Sequence, residues 1–221
     1  MSTVQEYLSQ RYRWIYNEIT NEEKDKAAEL SKTGKIPLAL AEVLVKRGIT
    51  SLEQIDEYFN TPLKSLINPF LMKDMQKGVE RIITALKKNE LICIFGDYDV
   101  DGVTSTSLLY LFFKELGAKV IQYIPNRLEE GYGLNVEAIE ELARKKVDLL
   151  ITVDCGISAN AEVQVAIEKG MEVIITDHHQ PGDEIPGAYA IINTMQEEDA
   201  YAFKSLAGVG GAVKLLVAVP H

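Results

Sequence analysis

From Leu91 onward, short and almost wholly apolar runs alternate with amphipathic segments, and few architectures accommodate that rhythm. The runs occupy residues 91–95, 119–124, 147–153, 172–176 and 188–192. Near-continuous apolarity suits strands covered on both faces, whereas a strand with one wet face alternates apolar and polar residues. The intervening stretches 103–116, 135–145 and 159–169 carry helical periodicity and are long enough to cross back over a sheet. The expected fold is α/β, a doubly wound and mainly parallel sheet flanked by helices.

The first 75 residues lack this rhythm and read as short helices. Thr20-Asn-Glu-Glu23 and Thr50-Ser-Leu-Glu53 both place a hydroxyl three residues before a carboxylate, the pattern of a reciprocal cap at a helix start. Between them, residues 36–48 begin with an Ile-Pro pair and end on Gly48, which matches the two stops of a helix. Asn60, Pro62 and Pro69 mark a connector, and an amphipathic helix follows over 73–88. The expected organisation is a helical N-terminal region, 1–75, followed by a second domain, 76–221.

Composition narrows the function classes. Apolar residues are 47% and charged residues 25% of the 221, ordinary for a folded globular chain. No apolar stretch reaches the length of a membrane span and the N-terminus is polar, so the expected location is the cytoplasm, without membrane association. Cys93 and Cys155 lie outside any zinc-type spacing and are too few for a disulfide framework. The net charge of −10 argues against holding a polyanion by bulk attraction, so a polyanionic substrate requires local cations.

The acidic residues that matter follow the apolar runs. Gly96-Asp97-Tyr98-Asp99-Val100-Asp101-Gly102 comes after the first, Asp154-Cys155-Gly156-Ile157-Ser158 after the third, and Asp177-His178-His179-Gln180-Pro181 after the fourth. In a parallel sheet these are carboxyl ends of strands, the edge where ligands bind, so distant segments converge on one crevice. Carboxylates gathered there repel one another unless cations neutralise them, and mixed carboxylate and imidazole donors suit Mn²⁺ or Mg²⁺. A calcium loop is the competing reading of Asp97-x-Asp99-x-Asp101-Gly102, although a strand leads in where an EF-hand needs a helix. The Asp99-Val-Asp-Gly-Val-Thr104 string is also similar to an aspartyl-phosphate motif, which leaves the His doublet without a role. A Cys155 nucleophile is disfavoured because carboxylates raise a thiol pKa.

Taken in order, Gly96-Asp-Tyr-Asp-Val-Asp-Gly-Val-Thr-Ser105, Tyr123-Ile-Pro-Asn-Arg127 with Gly131-Tyr-Gly133, Asp154-Cys-Gly-Ile-Ser158 and Asp177-His-His-Gln-Pro181 resemble the successive motifs of the DHH phosphoesterase superfamily. The GDYDVDG form and the GYG segment resemble its RecJ branch of single-strand-specific DNA exonucleases. That resemblance implies a two-metal phosphodiester hydrolase working 5′ to 3′ on single-stranded DNA in repair and recombination. It also implies that 76–221 is a DHH domain incomplete at its C-terminus, because a further metal-binding Asp in that branch lies beyond the Leu206-Ala-Gly-Val-Gly-Gly211 turn. A noncatalytic scaffold module, or a phosphodiesterase acting on short oligonucleotides or small nucleotides, are the alternatives.

The resemblance assigns Asp97, Asp99, Asp101, Asp154 and His178 to two Mn²⁺ or Mg²⁺ ions, with Asp154 bridging and Asp97 either a ligand or a group that orients one. Bound ions of this kind activate a water for in-line attack on a phosphodiester. Asp177 is expected to orient His179, and His179 to face the scissile phosphate. Arg127 either grips phosphate or pairs with Glu129 or Glu130. Gly208 and Gly210, ahead of an apolar helix, either offer free amides for another phosphate or simply form an ordinary helix entry. Ser105 and Thr104 are expected as helix caps first and phosphate ligands second, and Tyr132 as a core aromatic or a base-stacking platform. Implied partners are single-stranded DNA, held weakly, and a single-strand-binding protein or helicase.

Overall fold

The structure, a computed structural model, describes residues 4–8 and 13–220. It divides into two compact units after Leu66.

The first unit opens with strands β1 (Val4–Leu8) and β2 (Arg13–Asn17), paired antiparallel with Val4 opposite Asn17 and Leu8 opposite Arg13. These strands correct the expectation of helices alone before residue 75. The physical signal is in the sequence: Val4, Tyr7, Trp14, Ile15 and Tyr16 are β-branched or aromatic residues that favour strands. The part of the helical expectation on residues 1–3 and 9–12 lies outside the described residues. Helices α1 (Asn21–Gly34), α2 (Leu38–Lys46) and α3 (Leu52–Asn60) follow. Thr20 caps α1 in the expected reciprocal box with Glu23. The second box sits one residue later than expected, on Ser51 and Gln54. Ala27 and Leu30 of α1 pack with Ala41 and Val45 of α2, a small core in keeping with so short a unit.

The second unit begins in the connector, which makes a 3-10 turn over Pro69–Leu71 before α4 (Met75–Lys88). The sheet strands are β3 (Ile92–Gly96), β4 (Val120–Tyr123), β5 (Leu149–Val153), β6 (Glu172–Thr176) and β7 (Ala190–Ile192). Helices α5 (Val100–Glu115), α6 (Val136–Arg144), α7 (Asn160–Glu168) and α8 (Gly208–Ala218) complete the unit. All strand pairs are parallel, in the order β4-β3-β5-β6-β7. The expected α/β architecture is therefore the one observed.

Burial on both faces explains the apolar runs. Ile92 and Ile94 point with Leu149, Ile151 and Val153 toward α4, α5 and α8, while Cys93, Phe95, Leu150, Val173 and Ile175 face α6 and α7. Successive residues of a strand alternate between these two cores, so neither set can be polar. Truncating a fully buried member such as Ile94 to Ala costs about 2–5 kcal/mol. The chain leaves β3 to form β4 on one side and returns to place β5 on the other, so the carboxyl ends of β3 and β5 flank a switch point where a crevice opens.

Two local corrections bear on the site. Helix α5 starts at Val100, earlier than expected, because the Asp99 carboxylate accepts the Gly102 N–H and caps it. Thr104 and Ser105 therefore lie inside the helix and are not its caps; the Thr104 hydroxyl donates back to the Val100 carbonyl. Gly208 and Gly210 likewise lie within the first turn of α8 and do not precede it. Among the described residues no helix is long and apolar enough to cross a membrane.

Candidate metal centre

Three strand ends deliver the acidic groups. Asp97 and Asp99 follow β3 across the switch point from Asp154, which follows β5, and ligand atoms of these three lie within 4.8 Å of one another. Asp154, His178 and His179 form a second group within the same limit, so Asp154 belongs to both. The convergence inferred from sequence is thus present for these five residues. Asp101 stands outside both groups, its Oδ2 accepting the Gly208 N–H at 3.2 Å.

The backbone around Asp154 is closely fitted. Asp154 adopts the left-handed conformation, φ 60°, uncommon for a residue with a Cβ, and its N–H still bonds to the Thr176 carbonyl as an extension of the ladder. Thr176 in turn donates its hydroxyl to the Thr152 carbonyl, and Thr152 donates its own to the Cys155 carbonyl. Gly156 completes the turn at φ 110°, where a Cβ would strike the Thr152 hydroxyl at 2.8 Å. From the far side Gly208 packs so closely that a Cβ there would lie 2.3 Å from Asp154 Oδ1.

Electrostatically the cluster is dominated by burial and by repulsion among its carboxylates. Asp97 is fully buried and neither of its oxygens makes a well-formed hydrogen bond; burial pushes its carboxyl up, with the Tyr98 and Gly133 amides pulling back. Burial, together with Asp99 and Asp101, pushes Asp154 up to about 7. Its Oδ1 lies 3.0 Å from His178 Nε2 but without hydrogen-bond geometry. Asp99 is more exposed and held below the usual range by the Gly102 amide. Unpaired buried oxygens beside imidazole nitrogens form the donor set of a hard or borderline divalent cation, and such an ion would relieve both the desolvation and the repulsion.

Asp177 has a different position. Its Oδ1 accepts the His178 and His179 N–H groups and the His179 Nδ1 contact at 2.7 Å, while Oδ2 accepts the Ile157 N–H at 3.0 Å. Those bonds fix the His179 ring through Nδ1 and leave Nε2 beside the Tyr132 hydroxyl at 3.5 Å. Burial pulls the His179 pKa down, but Asp177 beside it, with Asp154 and Asp99, lifts it above the ordinary histidine value. Asn193 closes the same loop: it is fully buried, donates Nδ2 to the His179 carbonyl at 2.9 Å and accepts the Met195 N–H. No periodicity or motif singles out its amide for this task.

The remaining sequence candidates are scattered around this centre. Arg127 is exposed and makes no ion pair with Glu129 or Glu130, which are taken by Asn126 and Tyr123; its guanidinium lies 5.2 Å from the Tyr98 ring. Tyr98 meets Tyr132 edge to face, and Tyr132 meets His179 in the same way. Tyr132 is 55% exposed, which corrects the core placement, since its ring stands on the rim with its hydroxyl 3.5 Å from His179 Nε2. Ser105 is fully buried with its hydroxyl unpartnered. The amides of Gly208 and Gly210 are engaged by Asp101 and the Ala207 carbonyl, so the free donors expected there are absent. Cys155 is buried among carboxylates, and burial, then Asp177, push its thiol well above the ordinary value, which removes it as a nucleophile.

Known proteins share this arrangement of sequence. The Single-stranded-DNA-specific exonuclease RecJ of Bacillus subtilis is 43% identical over 208 residues, covering 94% of this chain and 26% of the relative. The Escherichia coli protein of the same name is 36% identical over 203 residues, 91% of this chain and 34% of the relative. The chain thus spans about a quarter to a third of these relatives. Among solved structures, an exonuclease RecJ bound to manganese superposes with a TM-score of 0.62 at 38% identity, over 67% of this chain and 37% of that one. RecJ from Thermus thermophilus in complex with Mn²⁺ gives 0.66 at 29% identity, over 88% and 27%. The sequence profile of the DHH family, N-terminal domain, matches residues 91–219, the span that holds the whole sheet and every acidic and imidazole group described above. The chain belongs to the DHH family.

Proposed function

We propose that this chain is the core of a metal-dependent phosphodiester hydrolase that removes nucleotides from single-stranded DNA in the 5′ to 3′ direction. The observation that carries the reading is Asp154, buried, shared by two donor groups and lacking a hydrogen bond on Oδ1. Asp97, Asp99, Asp154 and His178 would hold two Mn²⁺ or Mg²⁺ ions, with Asp101 joining from the start of α5. When bound, such ions supply an activated water and neutralise charge on the phosphate.

The chain's own residues do the rest. Asp177 holds His179 through Nδ1, which leaves Nε2 to meet a phosphate oxygen. Arg127, without an acidic partner among the described residues and steadied over Tyr98, is placed to grip a phosphate farther along the strand. With a net charge of −10, strand binding by this chain is weak unless cations fill the crevice. The strong likeness to RecJ proteins supports single-stranded DNA as substrate over a scaffold role, and a cytoplasmic setting with a single-strand-binding protein or helicase nearby fits the same reading.

The test is release of nucleotides from end-labelled single strands in Mn²⁺, with Asp154→Asn alongside. Release by the parent chain and its loss in the variant support the proposal. Cleavage of dinucleotides or small nucleotides alone would move the chain to another DHH activity, and absence of Mn²⁺ binding by calorimetry would leave a scaffold.

A further inference from the structure

Beside the metal centre a cavity of about 450 Å³ opens between the 132–134 turn and the start of α7. The mechanism above uses Asp177 and His179 on its one side and assigns nothing to the rest of it. Leu134, Cys155 and Ile157 form an apolar wall, Tyr132 stands at the mouth, and His179 lines the side nearest the metal centre. Two carboxylates line it: Asp177, whose oxygens are already taken by the Ile157, His178 and His179 amides and the His179 ring, and Glu162, half-buried in the first turn of α7, which is the one left to meet an occupant.

The lining decides what the cavity can take. It contains no lysine or arginine and does contain Glu162 and Asp177, so away from His179 its interior does not suit a phosphate. Its volume lies in the range of small-ligand pockets, and apolar walls under an aromatic rim suit a flat heterocycle. A half-buried carboxylate accepts hydrogen bonds and donates none, which favours a ring edge bearing an amino group. Cytosine, adenine and guanine carry such an amino group, whereas thymine has none and offers only its N3–H, flanked by two carbonyl oxygens that a carboxylate repels.

We infer that this cavity is a subsite for the base of the strand's terminal nucleotide, with Glu162 accepting from an exocyclic amino group and thereby disfavouring thymine. The inference rests on the phosphodiesterase reading for its place beside the reacting phosphate. Its binding test does not.

The probes are deoxycytidine and thymidine, uncharged nucleosides that avoid the repulsion of the carboxylate cluster, titrated into the metal-free chain with the methyl resonances of Leu134 and Ile157 as the readout. Deoxycytidine is expected to shift both sets of methyls and to bind about fivefold more tightly than thymidine, a modest share of what a fully buried base contact provides. Glu162→Gln, a change on a partly exposed helix turn, removes the preference because an amide can both donate and accept. Leu134→Trp, which fills the cavity, abolishes the shifts. Equal binding of the two nucleosides, no shift at either residue, or a preference that survives Glu162→Gln would each overturn the inference, whether or not Leu134→Trp folds. Cleavage of strands in Mn²⁺ without nucleoside shifts would sink the subsite alone. Selective nucleoside binding without cleavage would sink the hydrolase reading alone.

Discussion

Replacing Gly208 by Ala adds one carbon where the structure has no room for it. The new Cβ would lie 2.3 Å from Asp154 Oδ1 and 2.8 Å from its Cγ, so the carboxylate or the start of α8 must move by about 1 Å to reach ordinary contact. Overpacking of this kind costs about 1–3 kcal/mol. A glycine-to-alanine change inside a helix also returns up to about 1 kcal/mol through backbone entropy, which would blur the result taken alone. Gly211 supplies the correction, because it lies in the same helix and a Cβ there meets nothing within 4 Å. The difference between the two variants removes the entropy contribution and leaves the contact. For a domain of this size it corresponds to a melting point about 2–12 °C lower for Gly208→Ala than for Gly211→Ala. Because Asp154 is the residue common to both donor groups, its displacement should also weaken Mn²⁺ binding by about 10–100-fold, while Gly211→Ala leaves it unchanged. Differential scanning calorimetry and isothermal titration with Mn²⁺ measure the two effects. If both variants melt together and bind Mn²⁺ equally, α8 does not brace Asp154 and the reasoning fails.

Three further outcomes rest on the same structure. Asn193→Ala leaves the part-buried His179 carbonyl and Met195 amide without this partner and should cost about 1–3 kcal/mol in urea unfolding; an unchanged midpoint would show that neither group needs the side-chain amide. With Asp154 raised to about 7, the metal-free native state holds a proton that an unfolded carboxyl has lost between about pH 4 and 7. Stability of the metal-free chain should therefore fall as pH rises through that window, and Mn²⁺ affinity should drop about tenfold per unit below pH 7 with release of one proton, read by calorimetry in buffers of different ionisation enthalpy. Burial lifts Cys93 to about 12 and Cys155 well above the ordinary value, so neither thiol should react with a disulfide reagent at pH 8 until denaturant is added; prompt reaction in the native state would contradict the burial.

Much of the second unit is written plainly in the chain because parallel strands covered on both sides have to be apolar throughout. Residues 92–96, 149–153 and 172–176 announce themselves for that reason, and the acids at their ends come with them. Helix starts are less legible where neighbouring residues compete. Thr50 and Ser51 each have a carboxylate or amide three positions on, and only the geometry chooses Ser51 with Gln54. At α5 the chemistry hides the structure: Asp99, a candidate ligand, is also the cap, and its hydrogen bond to Gly102 starts the helix ahead of the two hydroxyls that compete for the role in the sequence. The β1 and β2 pairing is hard to read because five-residue strands in a polar segment lack the long apolar runs that mark the main sheet. Asn193, the Gly208 contact and the rim position of Tyr132 depend on residues that meet only after folding, and no local pattern encodes them.

Asp177 spends both of its oxygens on neighbours, so it has little left to offer an incoming ion. The loop bearing the two histidines is therefore shaped by the polypeptide itself and does not wait for a cation to organise it. Ions held beside it would then come and go without unravelling it, and exchange of one divalent species for another would be a matter of solvent access and coordination, with no refolding step in between.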